Sequence, residues 1–377
     1  MSTKIPSVTV NALNLKSGTV NEIERTALFL GVGKNVGRLT PVSADSDLEK
    51  LFGKDTTLAK QLQAAKVAAG QNWLAYVYEL AEENYKSADI KAAVLEANKQ
   101  ISPEYIVNTH TLIDRDDITA LQALHLELLA KYGRRQFFIQ AVQGINSRDE
   151  NWTTYLGKLN ALSKNIVADH VILVPQLMGN DAGELAGRLA NRAVTIADTP
   201  ARVKTGALVG IERNEVPKDN ENVPLDLAHI QTIASYRYSS IMWYPDYDGF
   251  YWTKGLTLDT EGGDFQYIEN VRVVDKVARR IRLKAIAKIG DRSFNSTSAS
   301  TELHKTYFAS IIREMAISTT IGTEHFPGEC FPPKDDSIVI QWINKETVRI
   351  YVKVRPIDCP TDITASILLD LTSLGDE

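Results

Sequence analysis

Between Thr26 and Ile196, short apolar runs alternate with stretches of helical periodicity, and that alternation leaves few folds open. The apolar runs are Thr26 to Leu30, Trp73 to Tyr78, Tyr105 to Val107, Phe137 to Val142 and Val171 to Val174. Each is too short for a stable helix. Between them lie amphipathic segments, such as the one in which Ile118, Leu121, Leu124 and Leu128 share a face behind an Asp116/Asp117 cap. Strands linked by helices pair in parallel, so this region is predicted to be an α/β unit with a largely parallel sheet.

After Pro200 the pattern changes. Gly206 to Ile211 is expected to be a strand, residues 214–224 a surface loop and Leu225 to Ser235 a helix. Ser239 to Tyr244 and Phe250 to Leu258 are expected to pair as a hairpin around Pro245 to Gly249. Gly262-Gly263-Asp264 opens a helix running to about Ile289, and a second helix begins near Ser300 and is expected to end at Gly322. Strands are predicted at Ser337 to Ile343, Thr347 to Arg355 and Ile363 to Thr372.

The second of these alternates strictly, with Val348, Ile350, Val352 and Val354 on one face and Arg349, Tyr351, Lys353 and Arg355 on the other. Pro356 and Pro360 interrupt the ladder and set the closing strand apart, with Ile363, Ala365, Ile367 and Leu369 along one side. At the other end, Val8, Val10 and Ala12 alternate with polar residues until Lys16-Ser17-Gly18. The expected division is an extended arm over 1–20, an α/β domain over 21–236, an α+β domain with two long helices and antiparallel strands over 237–358, and a second arm over 359–377.

The 377 residues exceed one ordinary core and match a prior of about two or three domains. A net charge of −5 argues against a general nucleic-acid binder. Two cysteines, Cys330 and Cys359, make no disulfide framework, and no Cys/His set has zinc spacing. Met1 to Pro6 has no apolar export region, and no stretch is long and apolar enough for a membrane span, so a soluble chain is expected.

The motifs that carry chemistry are weak. Gly31-Val32-Gly33-Lys34-Asn35-Val36-Gly37 follows the first strand where a phosphate loop would sit, but its spacing fits neither a dinucleotide fingerprint nor a P-loop, and a strand-to-helix turn is expected instead. Asp246-Tyr247-Asp248-Gly249 lacks the spacing of a calcium loop. No nucleophile elbow or paired zinc histidines occur. The alternative reading is an enzyme or nucleotide-binding protein with its crevice at Gly31, Gly33 and His110.

The helix from Asp264 carries Arg272, Lys276, Arg280, Lys284 and Lys288 at successive four-residue steps, beside an apolar seam of Ile268, Val271, Val274, Ala278, Ile281 and Ala285. Like charges at that spacing repel, so an acidic partner, or acidic groups within the chain, is expected to face them. The stripe has no interleaved aromatics and no exposed apolar flank, which disfavours RNA and membranes.

In order, the N-terminal arm, the Tyr251-Trp252-Thr253-Lys254-Gly255 strand, the helix bearing Tyr267 to Arg272, the helix Leu303 to Ile321, the strand Arg349 to Pro356 and the closing Ile363 to Leu371 strand resemble the contractile tail sheath proteins of bacteriophages and phage-tail-like particles. The resemblance covers about Trp243 to Leu371 and the N-terminal arm. It implies a structural subunit rather than an enzyme, with an outer α/β domain, an inner C-terminal domain and no cofactor. It further implies six-fold rings of copies stacked helically around a tail tube protein, ends met by baseplate and tail terminator proteins, and assembly in the bacterial host cytoplasm into the virion tail. Val8, Val10, Ile363, Ala365, Ile367 and Leu369 are then expected to anchor the arms in neighbouring subunits, and the basic helix to meet the tube or an adjacent copy.

Overall fold

A computed structural model of the protein describes residues 23–82, 85–112 and 114–367. The first part of the chain builds β1 (Ala27–Val32), β2 (Leu39–Ser43), α1 (Leu48–Phe52), α2 (Thr57–Ala69), β3 (Leu74–Leu80), α3 (Ser87–Gln100), β4 (Tyr105–Leu112), α4 (Arg115–Tyr132), β5 (Phe137–Val142), α5 (Trp152–Ser163), β6 (Val171–Pro175) and α6 (Asp181–Ala190). The sheet order is β2-β3-β1-β4-β5-β6, parallel from β3 to β6 with β2 antiparallel at one edge. All five predicted strands are present. They are apolar runs because helices cover both faces of a parallel sheet, and β5 and β6 are buried at every residue.

On one face α6 lies directly on α2, and only small residues permit this approach. A Cβ on Gly183 would come within 2.1 Å of the Gln61 carbonyl oxygen. The α4 cap is Asp114 rather than Asp116/Asp117, its carboxylate accepting from the N–H groups of both. At the far edge, the Ser239 N–H donates to the Leu173 carbonyl at 3.0 Å and the Leu258 N–H to Val171 at 3.1 Å, so later segments cover β6.

The second part contains α7 (Leu227–Ser235), β7 (Ile241–Tyr244), β8 (Tyr247–Trp252), α8 (Ile268–Ile286), α9 (Ser298–Met315), β9 (Thr319–Ile321), β10 (Glu324–Phe326), β11 (Ile338–Trp342) and β12 (Val348–Val352). Three expectations give way here. Residues 206–211 form no strand, holding to β8 by a bond from the Leu208 N–H to the Phe250 carbonyl. The second helix stops at Met315, since β-branched Ile317, Thr319, Thr320 and Ile321 favour a strand, and Gly322, at φ 61°, turns the β9–β10 hairpin. Composition divides the chain at 236/237, yet Ile241, Trp252, Leu258, Ile268 and Val271 all belong to the first core.

A second, smaller core joins Val273 and Val277 of α8 to Phe308, Ile311, Ile312 and Met315 of α9 and to Ile338 and Ile340 of β11. Helix α8 therefore passes from one core into the other. Its first half is buried almost all round, and Val273 and Val277, rather than Val274 and Ala278, fill the second core.

Candidate assembly surfaces

The crevice between β1 and β4, where the sheet changes winding direction, is the place an open α/β sheet keeps for a ligand. Here it is filled. Leu58 and Thr109 pack over Gly31, and a Cβ on Gly33 would lie 1.9 Å from the Glu79 carboxylate. That buried carboxylate, on β3, accepts from the Asn35 backbone N–H at 3.1 Å and its side-chain amide at 3.2 Å, so a negative charge already stands against the glycine loop. The glycine loop leads into β2, not a helix, so no helix N-terminus faces it. His110 stacks on Tyr85 at 4.4 Å, and burial lowers its pKa. Burial likewise pushes both thiols up to about 11, away from nucleophilic use.

The cationic stripe finds its counter-charges inside the chain. Arg272 is buried and grips Glu104 with two bonds of 2.7 and 3.0 Å, donating also to the Leu189 carbonyl. Burial alone would raise the Glu104 pKa, but the guanidinium prevails and holds it below the usual carboxylate range. Lys276 is buried against both oxygens of Glu329 at 2.7 Å. Arg280 lies 4.0 Å from Glu314, Lys284 sits over the Tyr307 ring and bonds Ser310, and Lys288 pairs with Asp291 at 2.7 Å. Arg272 and Lys276 are thus withdrawn from any partner, against the expectation for them, because α8 runs between two cores where an unpaired charge would be prohibitive.

What remains open is a sheet. β11 and β12 pair antiparallel with Ile340 opposite Ile350, and Ile338, Ile340, Trp342, Val348, Ile350 and Val352 pack their side chains into the second core. The bonds from Ile343 to Thr347 and from Lys353 to Ser337 fix which residues exchange hydrogen bonds within the pair. By alternation, Val348, Ile350 and Val352 turn their N–H and C=O groups away from β11, and Ile338, Ile340 and Trp342 turn theirs away from β12. No third strand meets either edge among the described residues. The outer face shows Val339, Gln341, Ile343, Arg349, Tyr351 and Lys353, all exposed.

Beyond β12 the chain stays attached through the Phe331–Arg355 backbone bond and the Cys359 thiol, which donates to the Ala197 carbonyl at 3.4 Å. From Thr361 onward it leaves the body: residues 361–367 have no regular structure, and Ile363 and Ile367 are 80% and 95% exposed. The predicted closing strand therefore pairs with nothing in its own chain over its described part, Ile363, Ala365 and Ile367. Val8, Val10 and Leu369 lie outside the described residues. Sequence patterns marked the alternating strands, whereas Glu104 and Glu329 carried no local signal as partners of the stripe.

Comparison with known proteins places the chain in a family. The profile described as "DUF2586, N-terminal domain" matches residues 5–256 and that described as "DUF2586, C-terminal domain" matches residues 264–372. A protein of Haemophilus phage HP1 bearing the name "Putative tail sheath protein" is 58% identical over 377 residues, covering 98% of this chain and all of the relative. The fold resembles a chain of the sheath complex, in its contracted state, of the extracellular contractile injection system PVC, with TM-score 0.60, 12% identity, and 98% and 99% of the two chains covered. It also resembles the sheath tail protein of Listeria innocua, with TM-score 0.57, 9% identity, and 91% and 94% covered. The chain belongs to the DUF2586 family and, with its phage HP1 relative, to the tail sheath proteins.

Proposed function

We propose that the protein is the structural subunit of a contractile tail sheath, polymerising by strand donation into a helical sleeve around a tail tube. The supporting observation is the pairing of a deficit with a surplus. Among the described residues, each copy carries a two-stranded sheet that no third strand joins, and its residues 361–367, the described part of a segment of strand-like alternation, are exposed and unpaired.

A donated strand would supply backbone bonds to one edge and side chains to the adjoining core. At about 0.5–1.5 kcal/mol net per bond, four or five bonds give several kcal/mol per arm. Such a contact is head-to-tail and does not close on itself, so it propagates as an open helix. Six-fold rings, a tube protein within, and baseplate and terminator proteins at the ends complete the reading, in the tail of a phage or phage-like particle assembled in the host cytoplasm. With donated strands joined to the body through segments such as 361–367, which have no regular structure, rigid subunits could rotate and move outward while those strands stay paired, which is the basis proposed for contraction driving the tube through a bacterial envelope.

The test is a chain ending at Pro360. It should fold with an unchanged melting temperature and form no sleeves by negative-stain electron microscopy. Long sleeves from the truncated chain would refute donation by this arm.

A further inference from the structure

Both ends of the described body are fastened to one face of α8. Glu269, Arg272, Lys276 and Arg279 recur at steps of three, four and three residues, so they stand on one side of the helix and span about 15 Å along its axis. At the N-terminal end, Arg279 pairs with buried Glu24, and the Arg25 backbone N–H donates to Glu104, the carboxylate that Arg272 grips. The Arg25 guanidinium also donates to the Val194 carbonyl at 2.8 Å, and the residue is held at φ 71°, a left-handed conformation that an arginine keeps only where its surroundings impose it.

At the C-terminal end, Lys276 holds both oxygens of Glu329, and the next two residues bridge to the chain beyond β12. Cys330 pairs with Pro356, and the Phe331 N–H donates to the Arg355 carbonyl at 2.8 Å. Cys359 is tied to the Ala197 carbonyl, and the Glu269 carboxylate stands near enough to add to the effect of burial on its thiol. These ties lie outside the strands. Glu24 and Arg25 precede Ala27, where β1 begins, and Pro356 and Cys359 follow Val352, where β12 ends.

Resting on the strand-donation reading above, we propose that α8 is the strut that carries load between the two arms of each subunit. A pull on either terminal segment is met at α8 before it reaches a strand, so tension along a sleeve runs from residue 24 through the helix to residue 359 and spares the six-stranded sheet. The pairs at both anchors are largely buried, where separating two charges costs more than at the surface.

The experiment reads sleeve length before and after a fixed shear, by negative-stain electron microscopy, in variants of the full chain. Arg279→Gln breaks one anchor and Glu329→Gln the other, and either serves where its counterpart does not fold. Both should form sleeves of ordinary length, since they alter neither arm nor sheet edge, and shear should then shorten them by roughly threefold. Arg279→Lys, which keeps the charge, should resist shear better than Arg279→Gln. Ile90→Ala opens a cavity in the core beneath α3 and should lower the melting temperature without shortening sheared sleeves. Anchor variants as shear-resistant as the unaltered chain, or already short before shear, would overturn the strut. Equal shortening in Ile90→Ala would also overturn it, by showing that resistance follows stability alone. Sleeves from the chain ending at Pro360 would instead refute donation itself.

Discussion

His170 shows how individual residues tie the two parts of this molecule together. Burial opposes its charge, but Asp169 at 2.8 Å and Asp275 of α8 at 3.3 Å prevail and hold its pKa up at about 9. His125, stacked on it at 3.7 Å, is pushed down to about 4 by burial and by that charge. A histidine whose folded value exceeds its unfolded value of about 6.5 stabilises the fold fully below that pH and loses the contribution as pH rises through 9. Asp181, Glu184 and Glu269, each pushed up to about 7 by burial, act with the same sign in a lower window, from about 4 to 7. Urea unfolding of the unpolymerised chain should therefore show stability falling between pH 7 and 9, by an amount on the order of 2–3 kcal/mol. His170→Gln should flatten that slope; an equal slope in the variant would show that another group governs it. Little of this was legible in the sequence, where the six histidines are scattered: Asp169 stands next to His170, but Asp275 comes from α8 and His125 from α4, both remote in the chain.

Among the elements, α8 and the β11–β12 pair mark the limits of periodicity as a guide. The strands were legible because one face is buried and one is wet, the condition under which a period of two appears. The presence of α8 and α9 was legible too, but not their extents: α8 runs Ile268–Ile286 rather than from Asp264 to about Ile289, and α9 stops at Met315 rather than Gly322. The facing of α8 was not: a helix between two cores has no single apolar side, and its charges are answered by Glu104, 168 residues away, and Glu329, 53 away. Strands β2, β9 and β10 escaped notice because they are short and are held by their partners rather than by propensity. The Arg272–Glu104 pair fastens α8 to the start of β4. Arg272→Ala would strand a buried carboxylate and should cost about 3–5 kcal/mol in chemical denaturation, while loss of the exposed Lys353–Asp336 pair should cost under about 1 kcal/mol. Comparable losses for the two would refute the view of α8 as the charged fastening between cores.

For the molecule as a whole, the economy is that of an incomplete sheet on a complete body. The α/β part closes its own core, and Leu58, Thr109 and Glu79 crowd the glycine loop after β1. The C-terminal part buries one face of β11 and β12, and among the described residues no strand covers either edge, a condition that isolated sheets avoid and polymers use. Family membership was legible from the order of the elements, since that order sets the topology. The direct test is a cryo-electron microscopy reconstruction of the sleeve formed by the full chain. The account predicts that β11 and β12 lie in a sheet of more than two strands, with residues 361–371 of a neighbouring copy running along an edge. A two-stranded β11–β12 sheet in the polymer, with both termini folded against their own subunit, would contradict it.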